Sequence, residues 1–254
     1  MSKHLIIPDT QVRPGDDLQF LTAIGNYIVE KKPDVIVQIG DFADMPSLSS
    51  YDVGKKSFEG RRYANDIEAS IEGMHALLGP IWAHNKQQHK NHKAAYKPRM
   101  VLTLGNHENR IERAVENDAK LDGVLSTNHL GYREFGWEQH DFLDVVVIDG
   151  VAYSHYFTTG VLGRPATTAS ALLSKKHMSC VAGHQQGRQI ASGYRADGRR
   201  ISCIIAGSCY EHDEEYMGPQ GNQHWRGLVV LHEVNDGESD EMFVSLDYLK
   251  RRYL

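Results

Sequence analysis

The stretch that decides the fold is Val35-Ile36-Val37-Gln38-Ile39-Gly40-Asp41-Phe42-Ala43-Asp44. Five mostly apolar residues, rich in β-branched side chains, read as a strand buried on both faces. Gly40 then lets the chain turn sharply and delivers two carboxylates three positions apart. Upstream, Leu5-Ile6-Ile7 is a second apolar run, ended by Pro8-Asp9. Between the two runs, Phe20, Leu21, Ile24, Tyr27 and Ile28 recur at helical spacing, with Asp16 and Asp17 as N-cap candidates and Pro33 after the helix. Strand, helix, strand predicts a βαβ unit with parallel strands.

Downstream the same grammar continues. Tyr63, Ile67, Ile71, Met74, Leu77, Leu78, Ile81 and Trp82 predict a long helix, ending in a polar, basic stretch with His84, His89 and His92. Met100 to Leu104 reads as a strand closed by Gly105-Asn106-His107-Glu108, and Arg110 to Ala119 as a helix that Glu108 would help to start. Asp144 to Ile148 and Val151 to Tyr156 predict a hairpin around Asp149-Gly150. A short helix over Ala166 to Lys175 and strands over Ser179 to Ala182, Ile201 to Ala206, Gly227 to Val234 and Met242 to Leu246 complete the reading. Without repeat or linker, residues 1–254 read as one domain of the α/β class.

Composition narrows the function classes. The chain has 254 residues, 41% hydrophobic and 24% charged, with a net charge of −5, which fits a globular protein without a broad basic surface for duplex nucleic acid. Cys180, Cys203 and Cys209 show no CxxC spacing; they read as small buried hydrophobes in a reducing, cytoplasmic setting. No apolar run is long enough for a signal peptide or a membrane span. The 14 histidines carry less information than the places where some of them fall.

Those places form a pattern. Asp9, Asp41, Asn106 and His184 each follow an apolar strand-like run, and His155 lies within another. In an open α/β sheet the carboxyl ends of parallel strands form the ligand-binding edge, so residues far apart in sequence can meet there. The blocks Asp9-Thr10-Gln11, Gly40-Asp41-Phe42-Ala43-Asp44, Gly105-Asn106-His107-Glu108, His155 and Gly183-His184-Gln185-Gln186 resemble, in order and spacing, the signature blocks of calcineurin-like metallophosphoesterases, including bacteriophage-encoded members. The resemblance covers roughly residues 5–190. It implies a four-layer α/β/β/α sandwich with two divalent metals at the strand ends. Asp41 would bridge them, with Asp9, Gln11 and Gln186 on the first metal and Asn106, His155 and His184 on the second. His107 would protonate the leaving oxygen, oriented by Asp44. Two metals can generate the nucleophile from water and neutralise phosphoryl charge, and an ionised Asp44 favours a protonated His107.

Two glutamines depart from the resemblance: Gln11 and Gln186 stand where the family has histidine, both on the same metal. Amide oxygens are harder donors than imidazole, so Mn2+ is the favoured ion, then Mg2+, with Zn2+, Fe and Ni2+ as alternatives. Met45-Pro46 replaces the Arg-Gly of the family's protein phosphatases, which lowers that reading. Arg13 and Arg110 flank motif loops and are candidate substrate-phosphate contacts, with a surface position as the plain alternative. Loops 45–62, 119–141, 157–168 and 208–226 are the candidate substrate walls; the last carries Tyr210, His212, Tyr216, His224, Trp225 and Arg226, which could stack on a base, and Glu211, Asp213, Glu214 and Glu215, which would repel a long polyanion. The expectation is a metal-dependent phosphodiesterase acting on nucleotides or single-stranded nucleic-acid ends. The alternatives are a phosphomonoesterase or protein phosphatase, and a binding protein with a decayed site. Neither the oligomeric state nor the substrate itself is encoded in any motif.

Overall fold

A computed structural model describes residues 1–214 and 217–254; Glu215 and Tyr216 of the fourth candidate wall lie outside the described residues. The chain is mixed α/β. Its larger sheet has the order β13-β12-β1-β2-β3-β4, built from β1 (Ser2–Ile7), β2 (Val35–Gln38), β3 (Arg99–Thr103), β4 (Glu138–His140), β12 (Gly227–Asn235) and β13 (Glu238–Ser245). Strands β1 to β4 run parallel, and β12 and β13 close the sheet antiparallel. The expected βαβ unit is present: α1 (Gln19–Lys31) crosses from β1 to β2, and α2 (Tyr63–Lys90) from β2 to β3.

A second sheet has the order β10-β11-β9-β6-β5, from β5 (Val146–Ile148), β6 (Val151–Ser154), β9 (Cys180–Ala182), β10 (Gln189–Tyr194) and β11 (Arg200–Ile205). The β5–β6 hairpin turns on Asp149 and Gly150, both at positive φ, +49° and +84°, the backbone of a type I′ turn. Helix α4 (Ala169–Lys176) carries the chain from β6 to the parallel β9. Strands β7 (Thr158–Thr159) and β8 (Arg164–Pro165) form a small separate ribbon.

Three apolar clusters show how the elements stack. One joins Ile6, Val37 and Val229 of the larger sheet to Val146, Tyr153, Val181 and Ile204 of the smaller, so the two sheets face each other. A second covers the outer face of the larger sheet with α1, α2 and α6 (Leu246–Tyr253), through Leu21, Ile28, Leu77 and Leu249. A third packs Ala169 and Leu172 of α4 on Cys180, Cys203 and Ile205. Strands β1 and β2 are thus covered on both faces, which is why they read as unbroken apolar runs. All three cysteines are buried and free.

Helices α1 and α2 meet closely where Gly25 faces Pro80; any β-carbon there would overlap the Leu77 carbonyl. Pro80 sits inside α2 and leaves the Ala76 carbonyl without its helical donor; the Thr22 hydroxyl approaches it at 3.5 Å. The structure corrects several expectations. Neither Asp16 nor Asp17 is the α1 cap residue, which is Leu18; Asp16 instead accepts from the Arg13 N–H and Asp17 from the Gln19 N–H. Strands β4 and β10 were not signalled, being short or edge strands, and Leu246 starts a helix rather than ending a strand. Helix α2 runs through His84 and His89 to Lys90.

Under the hairpin, His4 is fully buried. Its Nδ1 lies 2.7 Å from the Tyr153 hydroxyl and its Nε2 3.1 Å from Asp149 Oδ2. Burial lowers its pKa from the ordinary 6.5, against the raising effect of Asp149. A histidine kept neutral by folding contributes stability that is fully present above pH 6.5 and is lost as pH falls below it. Replacement by glutamine is therefore expected to cost about 1–3 kcal/mol at pH 7.5 and less at pH 5.5. Urea unfolding of both proteins at both pH values checks this; an equal cost at the two would contradict it.

Candidate metal and phosphoester site

The five residues singled out by position all leave the C-terminal ends of strands. Asp9 follows β1, Asp41 β2, Asn106 β3, His155 β6 and His184 β9. His155 is the first residue past its strand rather than a residue within it. Because β1, β2 and β3 are parallel in one sheet and β6 and β9 in the other, five such ends reach the same junction. His155 Nδ1 lies 3.0 Å from the Ile39 carbonyl, and the His184 N–H donates to Asp9 Oδ1 at 3.2 Å, so both sheets tie together at the site.

One carboxylate oxygen of Asp41 and one ring nitrogen each of His155 and His184 fall within 4.8 Å of one another. Asn106 Oδ1 sits among them, 2.9 Å from His155 Nε2 and 2.7 Å from His184 Nδ1. This is the donor set expected for the second metal. For the first, Asp9 and Gln11 are buried, and Asp9 Oδ2, Gln11 Oε1 and Gln186 Oε1 are each buried without a hydrogen-bond partner among the described residues. Orphaned buried acceptors are costly unless something binds them. Three of them on the three residues assigned to one ion fit a hard cation. The site is thus rich in oxygen donors on the side of Asp9 and mixed on the side of the histidines.

Electrostatics follow from burial. Burial raises the Asp9 carboxyl to about 7, against the lowering charge of His155 and with a smaller further push from Asp41. For Asp41 burial works the same way but is overcome by the charges and hydrogen bonds of His107 and His155, so its pKa is lowered. Burial would lower His155; Asp41 reverses this and lifts it to about 9. His184 is pushed down to about 4 by burial and by His155, which keeps its ring neutral.

His107 and Asp44 form the expected pair, with Nδ1 2.7 Å from Oδ1. Burial lowers the His107 pKa, but the carboxylates of Asp41 and Asp44 more than compensate. Burial likewise opposes ionisation of Asp44, yet His107, Arg13 and Arg110 hold it down at about 2. Neither arginine is a free surface residue. Arg110 Nη1 donates to the Asp44 carbonyl at 2.7 Å and its Nη2 lies 3.2 Å from His107 Nε2. Arg13 pairs with Asp44 at 3.4 Å and with Glu214 at 2.8 Å.

Glu108 is the residue that sequence reasoning misplaced. It is fully buried and does not serve its own helix start. Its Oε2 accepts from the N–H groups of Asp41 and Gly105, and its Oε1 from that of Ala43 and the Tyr132 hydroxyl. A single carboxylate thereby staples the loop after β2 to the loop after β3. Close packing completes the staple, since a β-carbon on Gly105 would overlap Asp41. Among the described residues of 208–226, the buried Tyr210 stacks on His212 at 4.3 Å, and Trp225 packs edge-on against Phe243.

Glu108→Gln puts an amide N–H2 where backbone N–H groups need an acceptor. It is expected to cost about 2–3 kcal/mol of stability, read as a lowered urea midpoint, with weakened Mn2+ binding in calorimetry. An unchanged midpoint would show that the staple is dispensable.

No family model matches the chain. The Gene 54 protein of Mycobacterium phage L5 is 42% identical over 90 residues, a match covering 33% of this chain and 35% of that protein. The Gene 54 protein of Mycobacterium phage D29 is 32% identical over 111 residues, covering 43% of this chain and 38% of that protein. The matches therefore span little more than a third of the length of these phage relatives. A solved crystal structure aligns over 96% of this chain and 99% of its own, with a TM-score of 0.43 and 10% identity. The chain is thus similar, over part of its length, to mycobacteriophage proteins.

Proposed function

We propose that this protein is a metal-dependent phosphoesterase of the calcineurin-like type, with its helices and two sheets stacked as a four-layer α/β/β/α sandwich, acting on phosphodiesters of nucleotides or single-stranded nucleic-acid ends in the host cytoplasm. The observation that carries the reading is the convergence of Asp41, Asn106, His155 and His184, together with buried acceptor oxygens on Asp9, Gln11 and Gln186 that have no hydrogen-bond partner among the described residues. Asp9, Gln11, Asp41 and Gln186 would hold one divalent ion, and Asp41, Asn106, His155 and His184 the other. When bound, the pair supplies a nucleophile from water and neutralises phosphoryl charge. The oxygen donors on the first ion favour Mn2+ or Mg2+.

The chain's own residues account for the rest of the reaction. The buried Asp41 keeps its negative charge, which a bridging ligand needs, because His107 and His155 flank it. His184 stays neutral and keeps a lone pair to donate. His107 has its Nδ1 held by Asp44 and turns Nε2 to within 3.7 Å of Asp41 Oδ2, at the heart of the site. A proton on Nε2 can pass from there to the departing oxygen, leaving a neutral ring with Nδ1–H still on Asp44. Arg110, against the same Nε2, opposes a proton there, but less than Asp41 and Asp44 favour one.

Turnover of bis-p-nitrophenyl phosphate, p-nitrophenyl phosphate and a single-stranded oligonucleotide, with Mn2+ and with chelator, tests the reading. Mn2+-dependent hydrolysis with preference for the diesters is expected, and no metal-dependent turnover of any of the three would overturn it. Asp41→Asn is expected to lose both metal binding and rate. His107→Ala is expected to keep its metals in calorimetry while the rate falls by about 10²–10⁴; an undiminished rate would remove His107 as the acid.

A further inference from the structure

Arg13 is the cation at the mouth of this site that faces solvent, with 28% of its side chain exposed. It stands one carboxylate away from the proposed acid: its Nε pairs with Asp44 Oδ2 at 3.4 Å, while Asp44 Oδ1 holds His107. Arg110, the other guanidinium there, is committed to the carbonyls of Asp44 and Met45 and to His107. Arg13 is therefore the group best placed to meet a second phosphoryl charge. Instead its Nη2 is taken at 2.8 Å by Glu214, reaching in from the 208–226 loop.

This contact is built rather than incidental. The Glu214 backbone is clamped on both sides by one side chain, its N–H donating to Asn222 Oδ1 at 2.8 Å and its carbonyl accepting from Asn222 Nδ2 at 2.9 Å. Its carboxylate lies 2.9 Å from His212 Nε2, and the His212 ring is stacked flat on Tyr210. On the other side, the Arg13 N–H is fixed by Asp16 Oδ2 at 3.0 Å. Both partners are thus held in place by separate anchors.

We propose that Glu214 is a specificity-determining residue of the site: by occupying the Arg13 guanidinium it withholds a cation from the substrate and so selects against doubly charged phosphate monoesters. The inference rests on the phosphoesterase reading and deepens it. A diester carries one negative charge. A terminal monoester carries nearly two at neutral pH, and its extra charge would face Asp44 and Glu214 with Arg13 already neutralised. At a partly buried site a charge separation of a few ångströms is enough to change affinity by an order of magnitude or more.

The test uses Glu214→Gln, which keeps the side-chain volume and leaves the Asn222 clamp on the backbone intact. With Mn2+, the ratio of kcat/KM for p-nitrophenyl phosphate over bis-p-nitrophenyl phosphate is expected to rise about tenfold. Adding Arg13→Gln is expected to return the ratio to its starting value. A second readout needs no turnover: calorimetric titration of inorganic phosphate into the metal-free proteins should show tighter binding in Glu214→Gln than in the wild type, and loss of that gain in the double variant. If the wild type turns over both esters and the ratio is unmoved, the specificity role is overturned while the phosphoesterase reading stands. If the wild type turns over neither ester, the phosphoesterase reading falls and the assignment of substrate selection falls with it; the phosphate titration then decides whether Glu214 masks Arg13. A phosphate gain that persists without Arg13 overturns the masking too.

Discussion

The structure depends on one constraint: two carboxylates, Asp9 and Asp41, are buried almost completely at the junction of two sheets. Burying like charges together is unfavourable unless cations or hydrogen bonds compensate. The chain compensates more fully for Asp41, through His155 at 3.4 Å, His107 at 3.7 Å and the His107 N–H at 2.9 Å. Asp9 receives one backbone N–H on one oxygen, and its other oxygen has no partner among the described residues. An apolar fold has no use for such a carboxylate. Together with the orphaned oxygens of Gln11 and Gln186, it is the kind of acceptor that a cation in the proposed site would satisfy.

Holding that arrangement requires backbone that the chain would not adopt spontaneously. Gln11, Asp41, Met45 and His184 all have positive φ, between +42° and +67°. Such conformations cost about 1–3 kcal/mol each and persist only where the surroundings over-determine them. Here the surroundings are identifiable. The Gln11 N–H donates to the Asp41 carbonyl and the Val12 N–H to the Phe42 carbonyl, which zips the loops after β1 and β2 together. Glu108 ties the second of these to the loop after β3. The strain is therefore concentrated where three loops share hydrogen bonds, and it serves to aim side chains inward.

Much of this was legible in the sequence, and the rest was not, for physical reasons. The strand ends were legible because parallel, doubly covered strands are apolar runs, and an acid or amide that stops such a run has few structural uses. His155 was visible by type and order, although its strand ends at Ser154, two residues earlier than the run Val151 to Tyr156 suggests. Glu108 was not legible, because three of its four partners are backbone N–H groups, which carry no residue signature. The Arg13–Glu214 pair was not legible either: its members are 201 positions apart, and nothing local to either residue announces the other. The edge strands β4 and β10 escaped for the usual reason that a half-covered edge need not be apolar; β10 alternates between half-buried and exposed residues throughout.

The glutamines at 11 and 186 make the charge arrangement coherent. Replacing imidazole by amide leaves the donor count of the first ion unchanged but exchanges soft, polarisable nitrogen for neutral oxygen. In the proposed site the carboxylates of Asp9 and Asp41 would then carry all the negative charge that holds that ion. On the approach side, Asp44 and Glu214 add two further negative charges against Arg13 and Arg110, so the protein's own groups at the mouth are close to balanced. In the proposed reading such a site would draw substrate by its bound cations rather than by arginines, and its attraction for phosphate would depend on how fully those cations are loaded. The same composition that excludes a broad basic surface is thus consistent with the proposed phosphoester site, because the positive charge needed for phosphate would be borrowed locally and only where two buried carboxylates require it.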